Sequence, residues 1–269
     1  MKKKITHSLY PYIALLLSFV SPLPIYAETL ASDILVSDNP VIALPVTQTC
    51  AGAPWPNIVW IHVHDNEETA RQTALHALSQ IQQGCLLDLR HGGNREVSVQ
   101  NSQVSYQFDP NRIFTPKGRQ SALKCRQGDC AAAMAQLTHA ANQFLSQYLA
   151  QKQLIVALHN NQPNSGLSIR NYITGGSMAG VTRQIVTNSD NNAHDFFYVT
   201  SQRAFDFLTI RGFNVVLQNN EDISDDGSLS VWSAQQQIDY INVEAGTGHS
   251  SAQLAMLAAI WAYMQQYYL

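Results

Sequence analysis

The sequence predicts an α/β fold, a mixed, mostly parallel central sheet sandwiched by helices, on three observations. Strand-length apolar runs recur at 57–63, 85–89, 154–158, 196–199, 213–217 and 240–243, and segments of helical period stand among them at 67–83, 131–150, 202–211 and 251–268. The runs at 57–63 and 154–158 are apolar almost throughout rather than alternating, the pattern of strands buried on both faces. Strands and helices in alternation mean an α/β architecture. In such sheets the functional groups collect beyond the carboxyl ends of the strands. Three strand ends here carry suggestive residues: His64, His159 and Glu244.

The elements follow in order. Residues 28–56 are punctuated by Pro40, Pro45, Pro54 and Pro56 and read as an extended arm with one short strand around 41–46. After the strand at 57–63, Ala70, Leu75, Leu78 and Ile81 fall near helical spacing, and Gly84 closes that helix. A second strand occupies 85–89. Between 91 and 114, Val97-Ser98-Val99 and Val104-Ser105-Tyr106 alternate as an edge hairpin does. The third strand, 154–158, runs into His159 and an open loop at 160–166. A closing helix carries Leu254, Leu257, Ala258, Trp261 and Met264 on one stripe.

The first 27 residues have the layout of a signal peptide: a basic start at Met1-Lys2-Lys3-Lys4, an apolar core at 13–20 and a cleavage site at Ile25-Tyr26-Ala27. The apolar core is too short for a comfortable membrane span. The mature chain is then 28–269, a single catalytic domain that is periplasmic or secreted, with no membrane anchor after cleavage. The formal charge is −3 and only 13% of residues are charged, about half the usual share. No basic cluster follows the signal segment, which argues against a nucleic acid partner. Four cysteines in an exported chain read as two disulfides. Of the three possible pairings, proximity favours Cys125 with Cys130 and Cys50 with Cys85. A metal-binding role for Cys125 and Cys130 fits an oxidising compartment less well.

The chemistry starts at His64-x-x-Glu67. A strand that ends at His64 and turns directly into a helix aims both side chains at one point. A hydrolytic zinc site takes three protein ligands and one open position, and His64, Glu67 and the distant His159 supply that count. Singly, each has a blander reading: a strand-end histidine as a polar cap, a glutamate favouring a helix dipole. Three further features add to the pattern. In Asp109-Pro110-Asn111-Arg112-Ile113-Phe114, Arg112 has the planar fork that grips a carboxylate, Asn111 adds a neutral donor, and the rival is a structural Asp-Pro turn. Glu244 ends an apolar strand, where an acid is costly unless paired or used, and beside a metal it serves as general base. Arg90 or Arg95 is placed to polarise a scissile carbonyl.

Val63-His64-Asp65-Asn66-Glu67 resembles the His-Gly-Asn-Glu box of the succinylglutamate desuccinylase and aspartoacylase branch of the zinc carboxypeptidases. Asp109 to Phe114 resembles that branch's Asp-Leu-Asn-Arg-x-Phe box, and Ala157-Leu158-His159-Asn160-Asn161 its Asp-Leu-His-Asn-Thr. The order is the same, and Val243-Glu244 stands where the catalytic glutamate belongs. The resemblance implies one Zn2+ per chain on His64, Glu67 and His159. It also implies a substrate carboxylate on Asn111 and Arg112, and Glu244 as the base that later protonates the leaving amine. Asp65 replaces the usual glycine and Pro110 the usual leucine. The carbonyl-polarising arginine lacks a clean motif, with Arg95 preferred over Arg90.

An exported amide or peptide hydrolase of carboxypeptidase type, acting on cell-wall (peptidoglycan) stem peptides with a free carboxylate, is the leading functional expectation. The compartment, not a motif, is the warrant for that substrate. An N-acyl amino acid deacylase and a non-catalytic peptide-binding module on the same scaffold are the alternatives. Lesser residues have two readings each. Asp225-Asp226-Gly227-Ser228, before an expected short strand, either meets a substrate amine or is an acidic turn. Asp109 either orients a ligand histidine or starts a turn. His62 is a packed core histidine or backs the ligands. His249 lines the substrate mouth or belongs to a helix start.

Overall fold

A computed structural model describes residues 26–28, 42–162 and 166–269. Most of the signal segment, most of the 28–41 stretch and positions 163–165 of the expected loop lie outside the described residues. Nine strands form one sheet: β1 (Tyr26–Glu28), β2 (Val46–Cys50), β3 (Ile58–His62), β4 (Cys85–Leu89), β8 (Leu154–Asn161), β9 (Thr182–Val186), β10 (Phe196–Val199), β11 (Val215–Gln218) and β12 (Asp239–Gly246). Their spatial order is β1-β2-β4-β3-β8-β12-β10-β11-β9. The central four, β4-β3-β8-β12, are parallel. Antiparallel neighbours flank them, β2 on one side and β10 on the other. The sheet is mixed and mostly parallel. A separate three-stranded sheet is built from β5 (Val97–Gln100), β6 (Ser105–Phe108) and β7 (Lys124–Gln127).

Both faces of the large sheet are covered, which is why its strands read as unbroken apolar runs. Trp60, Val156, Leu158, Ile241 and Val243 point to one face, packing with residues of α1 (Glu68–Ile81), α4 (Gln202–Thr209) and α6 (Ser250–Tyr267). Val59, Ile61, Ile155, Ala157 and Tyr240 point to the other. There they meet Phe114, Phe144 at the end of α3 (Cys130–Phe144), and Leu229 and Trp232 of α5 (Leu229–Gln235). A smaller cluster, with Phe108, Ile113 and Leu137, lies beneath the three-stranded sheet. No helix among the described residues is long and apolar enough to cross a membrane.

Both disulfides form in the favoured pairing, Cys50–Cys85 and Cys125–Cys130. The first explains a correction. The strand expected around 41–46 lies instead at Val46–Cys50, with Ile42–Pro45 in no regular structure. Pro45 has no N–H to give a ladder, and β2 registers against β4 with Cys50 directly opposite Cys85. The expected third strand is longer than its apolar run and continues through His159 to Asn161. The segment after Asp225–Gly227 is a helix, α5, rather than a strand. Ser228 caps it by accepting from the Val231 amide. A further helix, α2 (Pro116–Ala122), starts behind Thr115, whose side chain accepts from Gly118 N.

Candidate metal centre

His64 stands two residues beyond β3, and the chain turns at once: the Glu67 amide donates to the His64 carbonyl at 2.9 Å, and α1 begins behind Glu67. That turn brings His64 Nδ1 within 2.9 Å of Glu67 Oε1. His159 comes from the neighbouring strand, its Nδ1 2.8 Å from Glu67 Oε2 and 3.2 Å from His64 Nδ1. All three residues are buried, and their ligand atoms lie within 4.8 Å of one another. His64 Nε2 stands 2.9 Å from Asp109 Oδ1. A carboxylate there favours a proton on Nε2 and keeps Nδ1 turned inward toward Glu67 and His159. Two imidazole nitrogens and a carboxylate converging on one point can hold a cation between them. The donor set fits zinc.

Electrostatics agree with that reading of the geometry. Burial alone lowers the basicity of His64, but hydrogen bonds to Asp109 and Glu67 more than offset it and leave its pKa raised. His159 is lowered, chiefly by burial. Burial works to raise the Glu67 pKa, yet the two histidines hold it well below the usual carboxylate range. Asp109 is likewise held low against burial, by its bond to His64 and the charges of His64 and Arg95.

Glu244 reaches the centre from β12, whose register pairs Glu244 with His159. It is almost wholly buried. Burial and then the nearby charge of Glu67 raise its pKa to about 8, although Asn242 and Asn161 favour the carboxylate. Asn161 Nδ2 donates to Oε1 at 3.2 Å and Asn242 Nδ2 to Oε2 at 3.1 Å. Neither amide was singled out from the sequence. The signal was present: strand period two puts Asn161 on the face of His159, and Asn242 on that of Glu244.

A cleft of about 540 Å³ opens over these groups, lined among others by Arg95, Asn111, Arg112, Asp226, Tyr198 and Tyr240. Asn111 and Arg112 sit in a short 3-10 turn that Asp109 caps by accepting from Asn111 N. Asp109 therefore both starts the turn and meets His64. Arg112 is half-exposed, its Nη2 3.7 Å from Asp226 Oδ2. The loop bearing Asp226 is seated against α2, with Phe114 N donating to Gly227 O at 3.0 Å. Gly118 and Gly227 meet there so closely that a Cβ on Gly118 would stand 2.1 Å from the Gly227 Cα. Asp225 accepts from Thr115 at 2.7 Å rather than facing the cleft.

Of the two candidate arginines, Arg95 lines the cleft, its Nη1 2.9 Å from Glu67 Oε1. Arg90 turns away, with Nη1 2.7 Å from Asp65 Oδ1. His62 is buried behind the ligand turn, Nδ1 2.8 Å from Asp88 Oδ1 and Nε2 3.0 Å from the Glu67 carbonyl. His249 lies outside the cleft lining, at the start of α6, with Nδ1 2.8 Å from Asp195 Oδ1. A buried amide pair ties the parts together. Asn160 accepts from Ala70 N of α1 and donates to Ala245 O and to Gln253 Oε1. Gln253, on α6, donates to the carbonyls of His159 and Val243. The Asn160 amide N–H also donates to Glu67 Oε2.

The α/β sheet thus holds a histidine–glutamate–histidine cluster that could take a metal ion at its carboxyl edge, with a second acid, Glu244, beside it. Comparison with solved structures finds several distant likenesses. The chain is similar to the succinylglutamate desuccinylase of Chromobacterium violaceum, at 13% identity over 80% of this chain and 63% of that one, with a TM-score of 0.44. It is similar to an aspartoacylase family protein of Mesorhizobium loti, at 11% identity over 81% of this chain and 60% of that one, TM-score 0.42. It is also similar to the murein-tripeptide amidase of Escherichia coli O157, at 14% identity over 80% and 86%, TM-score 0.42. The chain spans about 60% of the length of the first two of these. No protein-family model matches it, and no curated protein does.

Proposed function

We propose that this chain is an exported zinc-dependent amide hydrolase of carboxypeptidase type, acting on peptides that end in a free carboxylate, cell-wall stem peptides first among them. One observation carries the reading: His64, Glu67 and His159 converge beside a buried Glu244, in the cleft that Asn111 and Arg112 also line. Zinc held by the three residues supplies Lewis acidity to the amide being cleaved. Glu244 takes the proton of the attacking water and returns it to the leaving amine, a role its buried position beside the three candidate ligands supports. Arg112 and Asn111 hold the terminal carboxylate, and Arg95 donates to the carbonyl oxygen as charge develops on it. Asp226, which lines the cleft 3.7 Å from Arg112, is in this reading the acid that meets an amine on the same substrate residue. The two disulfides and the signal-like first 27 residues support export.

The test is zinc analysis of the purified protein with a muropeptide digest followed by mass spectrometry, with and without chelator. Roughly one zinc per chain, chelator-sensitive cleavage, and a Glu244→Gln variant that keeps zinc but not turnover are the expected results. Cleavage of acetyl or succinyl amino acids in preference to muropeptides would move the substrate to small N-acyl amino acids. Full activity in Glu244→Gln would remove that residue from the mechanism.

A further inference from the structure

Asp65 lies between two of the candidate ligands, where the resembling box has glycine. The residue is 3% exposed. A carboxylate that deep in the protein is costly unless its oxygens are bonded, and the partners here all belong to one loop. Oδ2 accepts from the His91 amide at 2.6 Å and the Gly93 amide at 2.8 Å, while Oδ1 faces Arg90 Nη1 at 2.7 Å. Two successive left-handed residues, Gly92 at φ +87° and Gly93 at φ +72°, curl the backbone around the carboxylate. Amides turned inward in this way form a concave anion site, and the anion is the chain's own side chain.

That loop joins β4 to β5 and delivers Arg95. Positions 92–95 are exposed. Its other bonds are few and mostly long or local: Arg90 N to Pro45 O, Arg90 Nη1 to Glu68 Oε2 at 3.4 Å, Asn94 to Gly92 O within the loop, and a 3.4 Å approach of His91 Nε2 to Val63 O. Two adjacent glycines carry a large conformational entropy, so without Asp65 the segment before Arg95 samples many paths. Arg95 itself reaches Glu67 Oε1 and, at 3.6 Å, Asp109 Oδ2. We propose that Asp65 is a positioning residue: it folds the 90–95 loop around its carboxylate and so sets the Arg95 guanidinium over the cleft. The catalytic half of this inference rests on the reading of Arg95 given above; the loop half stands on the geometry alone.

The experiment uses the full chain with zinc bound and compares Asp65→Gly, Arg95→Ala and the double variant. Hydrogen–deuterium exchange needs no substrate. Asp65→Gly should raise exchange at His91 and Gly93 by about 10-fold or more, with the amides of β8 and the zinc content unchanged. On the peptide that the wild type cleaves, Asp65→Gly should lose kcat about as far as Arg95→Ala, on the order of 10²-fold, with KM little changed. The double variant should be no worse than either single one. Asp65→Asn, which keeps an oxygen for the two amides, should retain most of the exchange protection and of kcat. If Asp65→Gly folds poorly, Asp65→Ser carries the same comparison, its oxygen being one bond too short to reach both amides. Unchanged exchange in the 90–95 segment overturns the proposal, and so do losses that multiply in the double variant. A wild type that binds zinc and cleaves nothing ends the hydrolase reading instead, and the exchange result then decides the loop by itself.

Discussion

Replacing Gln253 by leucine removes a side chain that is fully buried and changes little volume. Its amide nitrogen donates to the His159 carbonyl at 3.0 Å and the Val243 carbonyl at 3.4 Å, and its oxygen accepts from Asn160 at 3.3 Å. Leucine does none of this, so three buried polar groups lose a partner. A buried group stripped of its bond costs about 1–3 kcal/mol. The two longer contacts argue for the low end, so the loss of stability is about 3 kcal/mol. For a chain of this length that lowers the melting temperature by about 6–12 °C. One affected carbonyl belongs to the candidate ligand His159 and the other to Val243, next to the candidate base, so zinc affinity should also fall, by about 10-fold. Urea unfolding in the presence of chelator gives the first number, and competition with a metal indicator gives the second. A stability loss under about 1 kcal/mol would refute the reasoning that this amide pair ties the centre together.

Asp109→Ala should weaken zinc binding by about 10–100-fold, because His64 then loses the carboxylate that fixes its tautomer; isothermal titration against a competing chelator measures it. Burial works to raise the Asp88 pKa, but bonds to His62 and Arg71 outweigh it and hold it below the ordinary aspartate value. A depressed acid stabilises fully above its unfolded pKa and loses that contribution as pH falls through the folded one. Stability measured by urea should therefore drop as pH falls below about 4, and Asp88→Asn should flatten that drop. Removing the Cys50–Cys85 bridge, which spans a sequence separation of 35, should cost about 4 kcal/mol on the chain-entropy account. Denaturant titration of a Cys50→Ala/Cys85→Ala variant checks it.

Much of this architecture was legible because its signals are local. The apolar runs of β3 and β8, the helical spacing of α1, and the His64-x-x-Glu67 turn all depend on neighbours a few residues apart. The extension of β8 through His159-Asn160-Asn161 was not legible: three polar residues look like a loop until β12 is laid beside them, register to register, to Asn161. α2 and α5 are too short to show a period, at seven residues each. Their caps, Thr115 with Pro116 and Ser228, were the available clues. β7 and β9 lie at sheet edges with mostly exposed or half-buried side chains and so lack the apolar signature of the centre. The polar partners of Glu244 needed the strand face to be read two residues either way.

The meeting of Gly118 with Gly227 has a consequence for how this cleft can change. Beside the opening, Gly118 and Gly227 meet main chain against main chain, with no room for a side chain at either position. Substitutions at Asp226 or Ser230 can thus alter the chemistry presented to a bound molecule while the flank itself stays where it is. A methyl group at either glycine would instead push the whole flank outward and carry the Arg112 turn with it.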